Sequence, residues 1–209
     1  FSDGVLDHAE FLFFSSTQSP QFPNSLVAYG IETQADGKVL FFGSISDSPG
    51  GFIARLNGDG TPDLSFAENG ILKLLVGDDS FVFGLELLDD GSIALGGEYS
   101  SQQFVGRKGY VAKITSQGTP DSTFGDNGVH SLGQMSNYAF SGIVSAKDGG
   151  IYTAWNHAAS FFTVTGPIIK FDQTGQLDAD FGVEGILERS SSLSAWSRGS
   201  DVLEDGSII

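Results

Sequence analysis

The chain has 209 residues, of which 29 are glycine and 18 are phenylalanine, and its formal net charge at pH 7 is −16. Glycine at about twice its ordinary frequency argues against long helices, and 40% hydrophobic residues argue against disorder. The negative charge opposes binding to a nucleic-acid backbone or an anionic membrane surface, and no apolar run approaches the ~20 residues that span a bilayer. The absence of cysteine excludes disulfides and cysteine-ligated zinc.

Hydrophobic runs and turn residues predict four short strands in the first complete part of the chain. These strands lie at 27–34, 39–42, 52–57 and 71–75. The Asp36-Gly37 pair between the first two runs predicts a hairpin with a type I′ turn, in which both central residues have positive φ. The third and fourth strands recur at 110–115 and 129–132, and again at 167–172 and 186–188.

Two sequence landmarks recur with these strands. An Asp-Gly pair returns after 54, 58 and 57 residues, and a Gly-x-x-Asp motif followed by Phe and Gly returns after 58 and 57. A fixed period of this length indicates a repeat architecture. The Asp-Gly turn residues are Asp36-Gly37, Asp90-Gly91, Asp148-Gly149 and Asp205-Gly206; the second motif starts at Gly60, Gly118 and Gly175, and its phenylalanines, expected in the core, are Phe66, Phe124 and Phe181.

Four antiparallel strands repeated about every 57 residues predict an all-β protein, a β-propeller of four-stranded antiparallel blades. An open stack of small sheets is the alternative. Complete blade repeats are predicted at 27–79, 80–137 and 138–190, within one propeller domain. Residues 1–26 are expected to be the tail of a preceding blade with a linking strand, and 191–209 the start of a further blade. Because propellers have four to eight blades, we expect a propeller fragment whose remaining blades come from the same or another chain.

The repeat resembles the delta-60 repeat, a bacterial β-propeller family with NHL-like blades. The resemblance is carried by Gln34-Ala35-Asp36-Gly37-Lys38-Val39-Leu40, by Phe52-Ile53-Ala54-Arg55-Leu56-Asn57-Gly58-Asp59-Gly60 and by Asp63-Leu64-Ser65-Phe66. It covers essentially the whole chain, although the third unit departs at Gln176-Leu177 and Trp155-Asn156. The resemblance implies a propeller from a large protein that is exported or displayed at the cell surface, with any signal peptide outside this sequence. It implies no enzymatic activity.

A cation occupies the same position in each predicted third strand, and an aspartate follows eight residues later. The three pairs are Arg55 with Asp63, Lys113 with Asp121, and Lys170 with Asp178. We expect structural ion pairs that brace the turn after the third strand and fix its geometry more than its stability.

The segment Asn57-Gly58-Asp59-Gly60-x-x-Asp63 superficially suggests a calcium loop. Counted from Asn57, Glu68 stands at the twelfth position, where an EF-hand has its bidentate glutamate. Pro62 and Phe66 do not fit that pattern, and the other units differ here, so an Asx-type turn is the better account. We expect no metal site and no cofactor, with weak calcium binding left open on the acidic surface.

No catalytic constellation stands out in the sequence. His8, His130 and His157 occupy three different registers of the repeat, and no nucleophile elbow or phosphate-binding glycine loop is present. Abundant serines and carboxylates have no distinctive spacing. Catalytic residues are therefore not predicted.

The loops that differ most between units are expected on one face of the propeller, where a fixed scaffold presents them for recognition. They run from the second to the third strand at 44–51, 98–109 and 156–166, and from the fourth strand to the next blade at 76–80, 133–138 and 189–200. These loops carry aromatic and basic residues of the types that anchor interfaces or stack on sugars. The candidate ligand-binding residues are Tyr99, Phe104, Arg107, Tyr138, Trp155, His157, Trp196 and Arg198.

Three functions are compatible with these features. The leading hypothesis is a non-enzymatic binding or scaffold module of an exported or cell-surface bacterial protein, which recognises a partner protein or glycan through its variable-loop face. The alternatives are a hydrolase or lyase acting on polysaccharide at the channel mouth, with its acid and base supplied by other blades, and a purely structural spacer. Neither a nucleic-acid partner nor membrane insertion is expected.

Overall fold

A computed structural model describes residues 26–46, 49–101, 104–134, 138–160 and 163–189. These residues form twelve strands and no helix, so they contain no helix able to cross a membrane. The strands make three four-stranded antiparallel sheets in chain order. The predicted all-β architecture of four-stranded blades is confirmed.

Each sheet is one blade, and its strands are neighbours in the order in which they occur in the chain. Blade 1 contains β1 (Leu26–Thr33), β2 (Val39–Ile45), β3 (Gly51–Leu56) and β4 (Ile71–Leu74). Blade 2 contains β5 (Asp79–Leu87), β6 (Ile93–Ser101), β7 (Phe104–Ile114) and β8 (Val129–Gln134). Blade 3 contains β9 (Tyr138–Ser145), β10 (Ile151–Ser160), β11 (Thr163–Phe171) and β12 (Ile186–Arg189).

The hairpin between the first two strands differs from the predicted type I′ turn. Gly37 N donates to Gln34 O at 2.9 Å, and Gly37 has φ 83° while Asp36 is not among the residues with positive φ. This is the pattern of a type I turn followed by a left-handed glycine, which gives a loop one residue longer than a type I′ hairpin. Asp36 Oδ1 accepts a hydrogen bond from Lys38 N at 3.1 Å, which explains the aspartate.

The same turn recurs in the other blades. Gly91 has φ 79° and Gly149 has φ 81°. Asp90 Oδ1 accepts from Ser92 N at 2.8 Å, and Asp148 Oδ1 from Gly150 N at 3.0 Å. The fourth Asp-Gly pair, Asp205-Gly206, lies outside the described residues.

The segments predicted as long loops at 98–109 and 156–166 are largely strand. β6 and β7 pair as far as Ser101 opposite Phe104, and β10 and β11 as far as Ser160 opposite Thr163. Aromatic and β-branched residues populate both segments, and strand pairing satisfies their backbone N–H and C=O groups. Blades 2 and 3 therefore present long hairpins where loops were expected.

Consecutive blades pack face to face. The first strands pack against one another in turn, β1 against β5 and β5 against β9. Between blades 1 and 2, Leu40 and Ile53 share a core cluster with Leu95 and Tyr110. The equivalent cluster between blades 2 and 3 contains Val111, Phe124, Trp155 and Phe171.

A phenylalanine of each earlier blade is covered by a loop of the next. Phe66 and Phe124 are fully buried. Beside them, Ala67 N donates to Gln117 O of blade 2 at 2.7 Å, and Gly125 N donates to Thr174 O of blade 3 at 2.7 Å. We call Phe66 and Phe124 the plug phenylalanines. Each plug phenylalanine and the backbone hydrogen bond beside it recur with the repeat, so they fix the packing of one blade on the next.

Gly118 and Gly60 occupy equivalent positions of the repeat. Both adopt a positive φ, but only Gly118 also lies against a neighbouring ring. Both have positive φ, 80° and 84°, but a Cβ at Gly118 would lie 2.8 Å from the Phe66 ring, whereas nothing lies within 4 Å at Gly60. We expect Gly60→Ala to lower the free energy of unfolding by about 1 kcal/mol through backbone strain alone. Gly118→Ala should cost about 2–4 kcal/mol because the methyl group also pushes on the plug. Urea unfolding measures both, and equal losses would show that the loop does not press on Phe66.

Candidate functional site

The strand topology separates two ends of the blades. The hairpins after the first strands and the connections after the third strands lie at one end, called here the charged end; in blade 1 these are residues 34–38 and 57–70. The connections after the second and fourth strands lie at the opposite end, called here the loop end; in blade 1 the described residues of these connections are 46, 49–50 and 75–78.

At the charged end of blade 1, Arg55 and Asp63 form a buried ion pair. Arg55 Nε lies 2.7 Å from Asp63 Oδ2, and the two side chains are 8% and 7% exposed. Lys38 Nζ approaches the same oxygen at 2.9 Å. Arg55 Nη1 also donates to Ser116 O of blade 2 at 2.7 Å, so the pair ties two blades together.

Blades 2 and 3 use one lysine between two aspartates. Lys113 Nζ lies 3.5 Å from Asp121 Oδ2 and 3.3 Å from Asp90 Oδ2. In blade 3, Lys170 Nζ lies 2.7 Å from Asp178 Oδ2 and contacts Asp148 Oδ2. The sequence predicted only a turn role for Asp90 and Asp148 and did not predict their contacts with the lysines. In blade 1 the aspartate of the pair, Asp63, has the two partners instead, Arg55 and Lys38. The sequence contains a sign of this difference between blades. The position after the Asp-Gly pair is a lysine in blade 1, Lys38, but Ser92 in blade 2 and Gly150 in blade 3.

The aspartates at this end are held in their ionised form. Burial by itself would raise the pKa of Asp63, but hydrogen bonds from Ser65, Lys38 and Arg55 outweigh it and hold that pKa far below its usual range. The pKa values of Asp90, Asp121 and Asp148 are also lowered, chiefly by hydrogen bonds from Ser92, Thr123 and Lys170 respectively.

These shifts predict acid lability. A carboxyl group whose pKa is lower in the folded than in the unfolded chain stabilises the fold above about pH 4 and loses that contribution as the pH falls toward the folded pKa. We expect the free energy of unfolding to drop steadily between pH 5 and pH 2. Asp63→Asn should flatten the profile, because it removes a carboxyl group whose pKa is held far below its usual range. Urea unfolding across this range is the measurement; a slope for Asp63→Asn equal to that of the wild type would contradict the assignment.

The segment that suggested a calcium loop forms the predicted Asx turn. Asp59 Oδ1 accepts from Thr61 N at 3.0 Å and from Thr61 Oγ1 at 2.7 Å. Asn57 Nδ2 donates to Thr61 Oγ1 at 3.0 Å. These polar atoms hold the turn itself, and within the described ranges no group of three or more His, Asp or Glu side chains is placed to hold a metal ion.

At the loop end, two predicted ligand-binding residues belong to the core instead. Trp155 is fully buried, and Tyr99 is 8% exposed. The Trp155 ring meets Phe140 edge-on at 5.4 Å, and its Nε1 donates to Thr153 Oγ1 at 3.1 Å. Gly109 leaves room for this ring, since a Cβ there would come within 2.5 Å of it. Both residues lie on strands whose faces pack between blades, so the structure places Trp155 and Tyr99 in the core and not on an exposed ligand-binding face.

The remaining candidates divide into two groups. Tyr138 is half-buried against the core between blades 2 and 3, whereas the Arg107 side chain is 50% exposed. The side chains of Phe104 and His157, and the residues Trp196 and Arg198, lie outside the described part of the structure.

Tyr138 also lines a cleft of about 440 Å³ between β8 and blade 3, together with His130, Leu177 and Glu188. The His130 ring meets Phe171 of blade 3 edge-on at 5.1 Å. Burial lowers the pKa of His130, and a hydrogen bond with the Gly175 backbone partly offsets this. The histidine therefore packs between blades 2 and 3.

A β-bulge recurs at the same position in the first strand of every blade. Strand pairing skips one residue between Ala28 and Gly30, between Val82 and Gly84, and between Phe140 and Gly142. A bulge changes the direction of the extra side chain. The extra residues are Tyr29, Phe83 and Ser141.

Two of these bulge residues begin a continuous series of ring contacts that runs from blade 1 to blade 2. The Tyr29 and Phe83 ring centroids lie 5.1 Å apart with the rings tilted by 32°, and Phe83 stacks on Phe81 at 5.8 Å with an interplanar angle of 6°. Arg107 Cζ lies 4.4 Å from the Phe81 ring centroid and completes the stack. We call Tyr29, Phe83, Phe81 and Arg107 the aromatic strip.

Both ends of the aromatic strip are anchored. Tyr29 Oη hydrogen-bonds Ser44 Oγ at 2.8 Å, and Arg107 Nη1 lies 3.3 Å from Glu98 Oε2. The Glu98 side chain is 10% exposed, and its other oxygen accepts from Phe140 N of blade 3 at 3.1 Å. Tyr29 nevertheless remains 44% exposed. The strip is therefore a preorganised and solvent-accessible surface.

The stacked four-stranded sheets with converging first strands define a β-propeller repeat protein. A family model described as "Domain of unknown function (DUF5122) beta-propeller" matches residues 34–66 and 88–124. Each matched stretch runs from the first hairpin of a blade to its plug phenylalanine. No curated protein matches the chain.

Proposed function

We propose that this chain is a non-enzymatic binding module that recognises a partner protein or glycan through the aromatic strip at its loop end. The observation that supports the proposal is the stack of Tyr29, Phe83, Phe81 and Arg107, which is anchored at both ends and still exposed. Tyrosine, phenylalanine and arginine are enriched where proteins bind partners. A surface that does not rearrange on binding loses little conformational entropy.

The sequence predicted a binding surface made of the variable loops. The surface proposed here is instead built mainly from the first strands of blades 1 and 2. Only Arg107 is shared with the residues predicted from the sequence. Tyr29 and Phe83 come from equivalent bulges on neighbouring blades, so the packing of blade 1 on blade 2 brings them together. A scaffold that fixes its contact residues in this way suits binding better than a plain spacer.

The proposal extends to the source of the module. The residues from Gln34 to Phe66 resemble the delta-60 repeat, and this resemblance supports our proposal that the module belongs to an exported or cell-surface bacterial protein. Protease treatment of intact cells from the native source tests the location. Loss of the chain from an immunoblot is expected, while full protection would place it inside the cell.

The binding function is tested with two libraries, a glycan array and displayed peptides, both probed with the 209-residue chain. We expect partners whose affinity falls at least tenfold, about 1.4 kcal/mol, with Tyr29→Ala, Phe83→Ala or Arg107→Ala. Leu64→Ala is the matched control, because Leu64 is 67% exposed at the charged end. It should bind like the wild type.

Two outcomes would contradict the proposal. One is that no partner is found in either library. The other is that partners bind the strip variants and the control equally well. Thermal unfolding of each variant shows whether a loss of binding reflects loss of fold.

A further inference from the structure

Arg107 and Arg55 are both stacked on phenylalanine rings, but their polar surroundings differ. Arg55 Cζ lies 4.5 Å from the Phe66 centroid, and its Nε and Nη1 groups both donate to acceptors in a buried setting. Among the described residues, Arg107 has one polar contact, from Nη1 to Glu98 Oε2 at 3.3 Å. A guanidinium has five N–H donors. Four of those of Arg107 have no protein partner in the described part of the chain.

The ring faces of the aromatic strip are largely used within the stack. Phe83 lies between Tyr29 and Phe81, and Phe81 lies between Phe83 and Arg107. A ligand therefore meets ring edges and the outer side of Tyr29. Aromatic edges carry partial positive charge, and the guanidinium beside them carries a full one. Arg107 is the cation of the strip, and Glu98 contacts it through one oxygen only, on a chain of net charge −16.

Glu98 satisfies only one of the N–H donors of Arg107. Glu98 shares its charge between the 3.3 Å contact to Arg107 and the hydrogen bond from Phe140 N. A bidentate arginine–carboxylate pair has two parallel N–H···O bonds, and that geometry is not formed here. Within the described ranges no other acceptor contacts the Arg107 guanidinium, whose side chain is 50% exposed, so its remaining N–H groups can make this geometry with a ligand.

From these contacts, and building on the binding function proposed above, we propose that the aromatic strip binds a glycan that contains a uronic acid unit, with the carboxylate of that unit on Arg107 and another sugar ring of the same glycan against Tyr29. A single carboxylate matches the one cation of the strip, Arg107. A densely charged polyanion would be repelled by the remaining acidic surface of the chain. An otherwise neutral glycan with a uronic acid unit avoids that repulsion and keeps the apolar sugar face for Tyr29.

The test compares cellobiouronic acid with cellobiose, which differ only in the carboxylate. Binding of each to the 209-residue chain is measured by ligand-observed NMR titration. We expect the acid to bind at least tenfold more tightly than the neutral sugar. That preference should disappear in Arg107→Gln and weaken as salt is added. Tyr29→Ala should weaken both sugars, and Leu64→Ala should change neither.

Equal binding of the two sugars, or a preference for the acid that survives Arg107→Gln, would overturn the uronic acid assignment while leaving the strip as a binding surface. If neither sugar binds but an acidic peptide binds through Arg107, the glycan assignment is overturned and the proposed binding function stands. If the strip variants affect no ligand from either library, the binding function itself fails.

Discussion

Trp155→Ala is expected to lower the free energy of unfolding by about 3–5 kcal/mol, the usual cost of removing a large buried aromatic side chain. Trp155 is fully buried between blades 2 and 3, next to Phe140 and over Gly109. Its removal leaves a cavity in the core that joins these blades, and it leaves Thr153 Oγ1 without the indole donor. Urea unfolding with a constant m-value is the measurement.

Tyr29→Ala is the matched control for this prediction. Tyr29 is also a large aromatic residue, but it is 44% exposed. Its loss should cost much less stability than the loss of Trp155 and should act mainly on binding. The account would be wrong if Trp155→Ala kept full stability and abolished binding, since Trp155 would then face a ligand.

Arg55→Met is expected to cost about 2–4 kcal/mol, because removing one partner of a buried ion pair leaves the other charge poorly compensated. The change removes the 2.7 Å contact to Asp63 and the 2.7 Å hydrogen bond to Ser116 O of blade 2. Lys38 still contacts Asp63 and moderates the loss. The melting temperature should fall, and the inter-blade contact should weaken with it.

Arg107→Met provides the comparison at the opposite end. Arg107 is half exposed and lies 3.3 Å from Glu98, so its ion pair is weaker than the 2.7 Å pair of Arg55 with Asp63. The Glu98 side chain is 10% exposed but keeps its hydrogen bond from Phe140 N, so we expect Arg107→Met to lower the melting temperature less than Arg55→Met does. Unchanged melting of Arg55→Met would show that the pair with Asp63 does not brace the blade.

The repeat made the fold predictable from the sequence. The Asp-Gly turns and the glycines of the second motif need particular backbone conformations, so they recur with the strands and mark their ends. Strand ends at the charged end therefore differ from prediction by at most one residue. The third strand of blade 1, for example, was predicted to end at residue 57 and ends at Leu56. The ion pairs could be found in the same way, because each cation and its aspartate keep a fixed spacing.

The loop end was harder to predict, because its segments differ between blades and carry no recurring turn residues. The extended hairpins of blades 2 and 3 depend on strand pairing rather than on local signals. The burial of Trp155 depends on Gly109 in the neighbouring blade. Neither relation can be derived from residue type and spacing within one unit.

The aromatic strip combines residues far apart in the sequence. Tyr29 and Phe83 are brought together by equivalent bulges and by the packing of two blades. The sequence does mark both residues, because each stands directly before a glycine at the same position of the repeat. These glycines are Gly30 and Gly84. The bulge itself was not visible in the hydrophobic pattern, because one extra residue changes only the local alternation.

The stacking of blade 1 on blade 2 is the central claim, and a disulfide tests it in a chain without native cysteine. Ala67 and Gln117 are joined across the two blades by a 2.7 Å backbone hydrogen bond. The double variant Ala67→Cys with Gln117→Cys should form an intrachain disulfide in high yield when the folded chain is oxidised mildly. The same oxidation in urea, where the chain is unfolded, should give a much lower yield. The pair Ala67→Cys with Thr174→Cys, which skips one blade, should not cross-link. Efficient cross-linking of the second pair, or none of the first, would contradict the arrangement on which the aromatic strip depends.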